Sequence, residues 1–231
     1  MQITGLHILL TYQCIFECDH CFVWGSPRQE GVLTLAQVEE ILHEAREAGV
    51  EWIYFEGGEP FLYYPILLRG VYMAAAQGFK VGIVSNAFWA VSVADASEWL
   101  RPMAGRLSDL TVSSDLYHCS EAMGERPQNA LVAAKWLNIP TGLICVPQPE
   151  KPEESDLQLP ESGEVMYRGR AAEVLAGRAA LHPWQVFNTC PYEDLRDLGR
   201  IHVDPLGNLH LCQGVLIGNL FEKPLKEICA Q

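Results

Sequence analysis

Short apolar runs alternate with amphipathic stretches along most of this 231-residue chain. A first strand is expected at about Leu6–Thr11. Thr34 then opens a helix, and Gln37, three residues on, completes a capping-box signal. Leu35, Val38, Ile41, Leu42 and Ala45 recur at helical spacing on one face, and Gly49 stops the helix. The alternation continues with a buried strand at Trp52–Glu56, a helix over about Pro65–Gln77 ending at Gly78, and a strand at Lys80–Val84. A short helix near Ala94–Leu100, a strand at Leu110–Ser113, a helix over about Gln128–Leu137 and a strand at Thr141–Val146 follow. Repeated β–α units of this length predict an α/β fold whose strands are parallel and joined by right-handed crossovers.

After the fifth strand the pattern breaks. Residues 147–164 hold four prolines and six acids without helical periodicity, which predicts a loop. Val165-Met166-Tyr167 reads as a sixth strand, followed by Arg168-Gly169-Arg170-Ala171. Near the C-terminus, two short alternating segments flank Asp204-Pro205-Leu206-Gly207-Asn208, the signature of a β-hairpin.

Composition narrows the class. A hydrophobic content of 49% is enough for one good core plus a small appendage. With no run of membrane-spanning length and no visible signal peptide, a soluble cytoplasmic chain is expected, its eight cysteines serving as thiols and metal ligands rather than disulfides. The formal charge of −13 argues against nucleic-acid partners, which need clustered Lys and Arg. It is compatible with a small cationic ligand or a basic peptide, and equally with a solvated acidic surface.

The chemistry concentrates in two segments. Cys14, Cys18 and Cys21 stand in a C-x3-C-x2-C spacing directly after the first strand. Three close thiolates can hold an iron–sulfur cluster while leaving one iron with an exchangeable position. A zinc knuckle is the rival reading, but no cysteine lies between Cys21 and Cys119, so it would need His20 or a distant fourth ligand. The second segment, Gly57-Gly58-Glu59-Pro60, follows the second strand. Its glycines allow close backbone approach, and Glu59 offers a carboxylate to an ammonium group. A plain strand-to-helix turn is the structural alternative.

Together, about forty residues apart and each following a strand, these motifs resemble the radical S-adenosylmethionine (SAM) superfamily. The resemblance implies a partial (β/α)6 TIM-like barrel, open on one side. It implies that Cys14, Cys18 and Cys21 ligate a [4Fe–4S] cluster and that Gly57–Pro60 hold the methionine end of SAM. An external one-electron donor of flavodoxin or ferredoxin type would reduce the cluster, and SAM cleavage would give methionine and a 5′-deoxyadenosyl radical that abstracts hydrogen from a substrate. Ligands of such sheets sit at the carboxyl ends of strands. By resemblance, Ser113 and Asp115 are ribose candidates, Asn86 is a weaker one, and Phe22 is placed to stack near adenine; each could instead simply shape its turn. Trp24, Tyr63, Tyr64, Phe88, Trp89, Tyr117 and His118 also follow strand ends or the cysteine loop, where they could line a pocket or merely pack.

Cys190-Pro191, the hairpin ending at Cys212, and Ile217-Gly218-Asn219-Leu220 are similar to the start of SPASM or twitch domains. That likeness implies Cys190, Cys212 and Cys229 as ligands of an auxiliary iron–sulfur cluster, in a module that is incomplete or truncated at the C-terminus. Cys119 and Cys145 are expected to be core thiols. The division expected is a barrel over residues 1–172 and an extension over residues 173–231. Three functions follow in order: an oxidoreductase maturing a peptide or protein, a small-molecule biosynthetic enzyme of the same chemistry, and a non-catalytic zinc or iron–sulfur protein.

Overall fold

The computed structural model describes residues 3–118, 124–149, 165–179, 183–188, 190, 199–212 and 214–230. Cys119 and most of the acidic, proline-rich stretch lie outside the described residues. Four β–α units and a fifth strand open the chain: β1 (Gly5–Thr11), α1 (Leu35–Glu47), β2 (Trp52–Gly57), α2 (Tyr64–Ala76), β3 (Lys80–Ser85), α3 (Val93–Leu100), β4 (Asp109–Ser113), α4 (Glu125–Trp136) and β5 (Thr141–Ile144). A short helix α5 (Arg170–Val174) follows, then β6 (Arg200–Val203), β7 (Asn208–His210), β8 (Leu216–Asn219) and α6 (Leu225–Cys229). All the strands form one sheet in the order β5-β4-β3-β2-β1-β6-β7-β8. Strands β1 to β6 run parallel, while β7 and β8 are antiparallel to their neighbours. This is an open, partial TIM-like barrel carrying a C-terminal hairpin.

The local chemistry is as the sequence predicts for α1. Thr34 caps it: its hydroxyl accepts from the Gln37 amide and the Gln37 side chain accepts from the Thr34 amide. Gly49, at φ +78°, lies just past its C-terminal cap. Val165–Tyr167 are not a strand; they run as irregular chain into α5. The place beside β1 is taken instead by β6, which pairs Leu6 with Ile201 and Ile8 with Val203. Three residues with one buried apolar position pair too weakly to make a strand when a longer apolar segment is available.

Side-chain alternation divides the sheet into two faces. Leu6, Ile8, Ile53, Phe55, Val81, Ile83, Leu110, Ile201 and Val203 are buried in one core with Val38, Ile41, Leu42, Leu67 and Val71 of the helices. The other face is polar. His7, Tyr54, Glu56, Asp109, Thr111 and His202 alternate with the core positions along the same strands. A closed barrel fills its centre with bulky apolar layers; here titratable and hydroxyl groups share that face with Leu9 and Val84. Gly82 makes room for Tyr54, whose ring a Cβ there would meet at 2.2 Å.

Candidate functional site

The cysteine loop rises from the carboxyl end of β1 and is fastened at its base. The Cys14 amide donates to the Ser26 carbonyl at 3.1 Å, and the Thr11 hydroxyl donates to the Gly31 carbonyl at 2.7 Å. Cys14 and Cys18 are buried and Cys21 is half-buried. Cys14 Sγ accepts from the Phe16 amide at 3.4 Å and from Asn86 Nδ2 at 3.5 Å, and Cys21 Sγ accepts from the Gly25 amide at 3.2 Å. Burial pushes the Cys14 thiol up to about 11, with Glu59 and Cys21 adding to the rise and the two N–H donors opposing it. Burial also pushes Cys18 well up, reinforced by Cys21, Cys14 and Asp115 and opposed by Arg170. Cys14 and Cys18 thus resist ionising side by side. A cationic iron–sulfur group relieves that conflict, because metal ligation takes the thiolate form.

His7–Glu56–His202 and His20–Asp115–His118 each bring their donor atoms within 4.8 Å of one another. The cysteine loop offers three thiols, two of them buried. A structural zinc closes its tetrahedron with a fourth protein ligand, whereas three thiols fit an iron–sulfur cluster that keeps one iron open.

The Gly57–Pro60 segment is latched to that loop. The Gly58 amide donates to the Thr11 carbonyl at 2.7 Å and the Glu59 amide to the Gln13 carbonyl at 2.9 Å. Gly57 sits at φ +131°, where a Cβ would lie 2.3 Å from the Thr11 carbonyl oxygen; at Gly58 a Cβ would lie 2.1 Å from that of Gln13. The backbone these glycines admit is therefore the loop's own. Glu59 is fully buried. Its Oε1 accepts from the Phe61 amide at 3.1 Å and the Ser85 hydroxyl at 2.9 Å, and its Oε2 from the Asn86 amide at 2.8 Å. A carboxylate accepts about four hydrogen bonds, so one position on Oε2 stays open. Burial raises the Glu59 carboxyl to about 7, against the pull of those donors. Pro60 starts the turn into α2.

Of the other expected positions, Asn86 turns its amide to Cys14 and its Oδ1 to the Phe88 amide. Phe22 is half-buried beneath the Arg168 guanidinium, 5.6 Å from its ring. Ser113 ends β4, half-buried, two residues before the buried Asp115. Asp115 Oδ1 accepts from the Tyr117 amide at 3.0 Å and lies 2.8 Å from His118 Nδ1. Its Oδ2 is buried without a hydrogen-bond partner, 3.8 Å from His20 Nε2. Burial drives His20 down to about 4 despite the Asp115 charge. His20 packs on Tyr117 and edge-on to His118, with ring centroids 4.4 and 5.3 Å away.

Cys212 lies beside the Arg168 guanidinium, whereas Cys229 packs on the main core from α6 and Cys190 is exposed. Two features escaped the sequence reading. His7 and His202 hold Glu56 between them on the polar face, at 3.2 and 3.1 Å; an isolated histidine in an apolar strand carries no signal of its own. Arg170 reaches the cysteine loop from far along the chain, and only its place after Gly169 marked it.

With this geometry in view, the relatives are informative. Residues 8–107 match the family model described as the Radical SAM superfamily. The putative peptide biosynthesis protein YydG of Bacillus subtilis (strain 168) is 29% identical over 126 residues, which is 54% of this chain and 40% of that protein. An S-adenosylmethionine-dependent nucleotide dehydratase of a Thermoplasmatales archaeon (strain ISO4-H5) is 31% identical over 103 residues, 45% of this chain and 34% of that protein. The chain thus spans less than half the length of these curated relatives. Among solved structures, Streptococcus suis SuiB bound to the precursor peptide SuiA superposes with a TM-score of 0.65 at 16% identity, over 98% of this chain and 64% of that one. That likeness shows the fold. The matched residues include the cysteine loop and the Gly57–Pro60 segment latched to it, and over that stretch the chain is similar to the radical SAM superfamily.

Proposed function

We propose that this chain is a radical SAM enzyme that modifies a peptide or protein. The observation that carries the chemistry is the junction itself: three thiols on one loop, the strand end Gly57–Pro60 bonded to that loop, and an unpaired buried carboxylate oxygen on Asp115 facing the same end of the sheet. Cys14, Cys18 and Cys21 hold a [4Fe–4S] cluster. When bound, that cluster and SAM supply one-electron chemistry, giving methionine and a 5′-deoxyadenosyl radical that takes hydrogen from substrate. The residues of the chain do the positioning. Backbone at Gly57–Gly58 and the open acceptor position of Glu59 receive the methionine ammonium, so the carboxyl is held ionised once the cation arrives. Asp115 Oδ2 accepts from the ribose hydroxyls, with Ser113 beside it, and Phe22 packs near the adenine. Asn86 acts on Cys14 instead. Residues 1–172 form the catalytic unit and residues 173–231 the substrate-side extension, with Cys190 and Cys212 the ligands left for an auxiliary cluster. A flavodoxin or ferredoxin supplies the electron.

A peptide substrate draws support from YydG, described as a putative peptide biosynthesis protein, and from the fold shared with SuiB in its peptide-bound form. A small-molecule substrate is the second reading, favoured by the 31% identity to a nucleotide dehydratase. The test is product analysis after anaerobic reconstitution and reduction. Wild type with SAM should release methionine and 5′-deoxyadenosine, and Cys14→Ala should release neither. Deoxyadenosine from Cys14→Ala at the wild-type rate would sink the assignment. Deuterium moving into deoxyadenosine from a labelled peptide, and not from a labelled nucleotide, decides between the substrates.

A further inference from the structure

Arg170 is buried, with 8% of its surface exposed, and it is the first residue of α5. It is separated by well over a hundred residues from the cysteine loop, yet three hydrogen bonds that it donates go there. Its amide donates to the Cys21 carbonyl at 3.0 Å, Nη1 to the Cys18 carbonyl at 2.7 Å, and Nη2 to the Gly25 carbonyl at 2.8 Å. Its guanidinium also lies 5.7 Å from the ring of Trp24, a non-glycine residue held at φ +58°. Gly169 permits the approach: at φ +57°, a Cβ there would stand 2.5 Å from the Phe22 carbonyl oxygen and 2.7 Å from that of Cys21. Behind the contact, Ala171 and Leu175 pack with Val146 and Val165 in a small core of their own, which seats α5 at the end of β5.

Three carbonyls of one short loop thus converge on one residue: those of Cys18 and Gly25 meet the guanidinium, a fork geometry that lysine cannot reproduce, and that of Cys21 meets the backbone amide. They include the carbonyls of two of the three cysteines. The same buried positive charge is held against the cysteine loop, 2.7 Å from the Cys18 carbonyl.

We propose that Arg170 is a positioning residue for the radical chemistry: it fixes the shape of the cysteine loop and sets a buried positive charge against the cluster, raising its reduction potential. This rests on the reading that Cys14, Cys18 and Cys21 carry a [4Fe–4S] cluster. Reduction adds negative charge to the cluster, so a nearby fixed cation favours the reduced state. Arg170 touches no reacting atom; it acts through the loop and its field.

The experiment compares full-length wild type, Arg170→Lys and Arg170→Met after anaerobic reconstitution. It reads iron release to a chelator and the cluster's midpoint potential by EPR-monitored titration. Removing a partner outside the ligand shell weakens metal retention by about 10–100-fold, and iron loss should be faster by about that much in both variants. In Arg170→Met the reduced fraction at a fixed potential should fall about tenfold, which is about 59 mV for one electron. Arg170→Lys, which keeps the charge but not the fork, should stay close to the wild-type potential. Arg170→Met with wild-type potential and wild-type iron retention would overturn the proposal while leaving the cluster assignment intact. If Arg170→Met fails to fold, Arg170→Lys decides alone: iron held as firmly as in wild type overturns the proposal. Wild type that takes up no cluster would overturn both readings.

Discussion

At the scale of single residues, Glu56 and Gly58 show how much the polar face and the loop junction depend on individual groups. Burial alone would raise the Glu56 carboxyl, but His7, then His202 and Arg200, outweigh it and hold the group at about 2. Its folded value lies below its ordinary one, so its contribution is complete above about 4.5 and is lost as pH falls through about 2. Glu56→Gln should destabilise the protein by about 1–3 kcal/mol at pH 7, because it disturbs the buried acceptor that lies 3.1–3.2 Å from two imidazole nitrogens. The same variant should flatten the loss of stability between pH 4.5 and 2 in denaturant titrations. An unchanged acid profile would mean that the triad contributes nothing. Gly58→Ala pushes a methyl into the Gln13 carbonyl, backbone that cannot step aside cheaply. It should cost about 1–3 kcal/mol in unfolding experiments and abolish SAM binding by calorimetry. The sequence showed that these glycines mattered, because the motif is local. It did not show that the backbone they admit is the loop's own, because that contact joins two distant segments.

At the scale of elements, what could be read depended on how local the controlling interaction was. The boundaries of α1 follow from Thr34, Gln37 and Gly49, all within the helix or one residue beyond its caps. Thr34→Ala should therefore cost about 1 kcal/mol, seen as a melting temperature about 2–4 °C lower; no shift would mean that the capping box is idle. The hairpin of β6 and β7 was equally legible, because its turn residues sit between its strands: the Asp204 carboxylate accepts from the amides of Leu206 and Asn208. By contrast, Val165–Tyr167 looked like a strand but run as irregular chain into α5, which, with its Arg170, gains its meaning only from the loop it meets. Pairing and docking are decided by tertiary partners, which a local pattern does not name.

At the scale of the whole molecule, the C-terminal strands complete the sheet edge beside the cysteine loop. Strand β6 covers β1 through Leu6–Ile201 and Ile8–Val203, and α6 reaches α1, where Glu44 accepts from the Leu225 amide at 2.9 Å. A chain ending before Gly199 would leave β1, buried at every position, as an open apolar edge. Such a chain should aggregate or bind a hydrophobic dye in gel filtration and fluorescence assays, and a monomeric, dye-free product would contradict this view of the edge. Among the described residues no helix is long and apolar enough to cross a membrane. The parallel sheet with its chemistry at one end followed from the repeating pattern. Which residues line the polar face followed only from the pairing register, since His7 on β1 and His202 on β6 become neighbours through it.

The central claim is that Cys14, Cys18 and Cys21 are the seat of an iron–sulfur cluster. Iron and acid-labile sulfide measured after anaerobic reconstitution test it most directly, in wild type and in the triple variant Cys14→Ala, Cys18→Ala, Cys21→Ala. The variant should hold about four irons and four sulfides fewer per chain than wild type, the content of one [4Fe–4S] cluster. Equal iron in the two proteins would contradict the account.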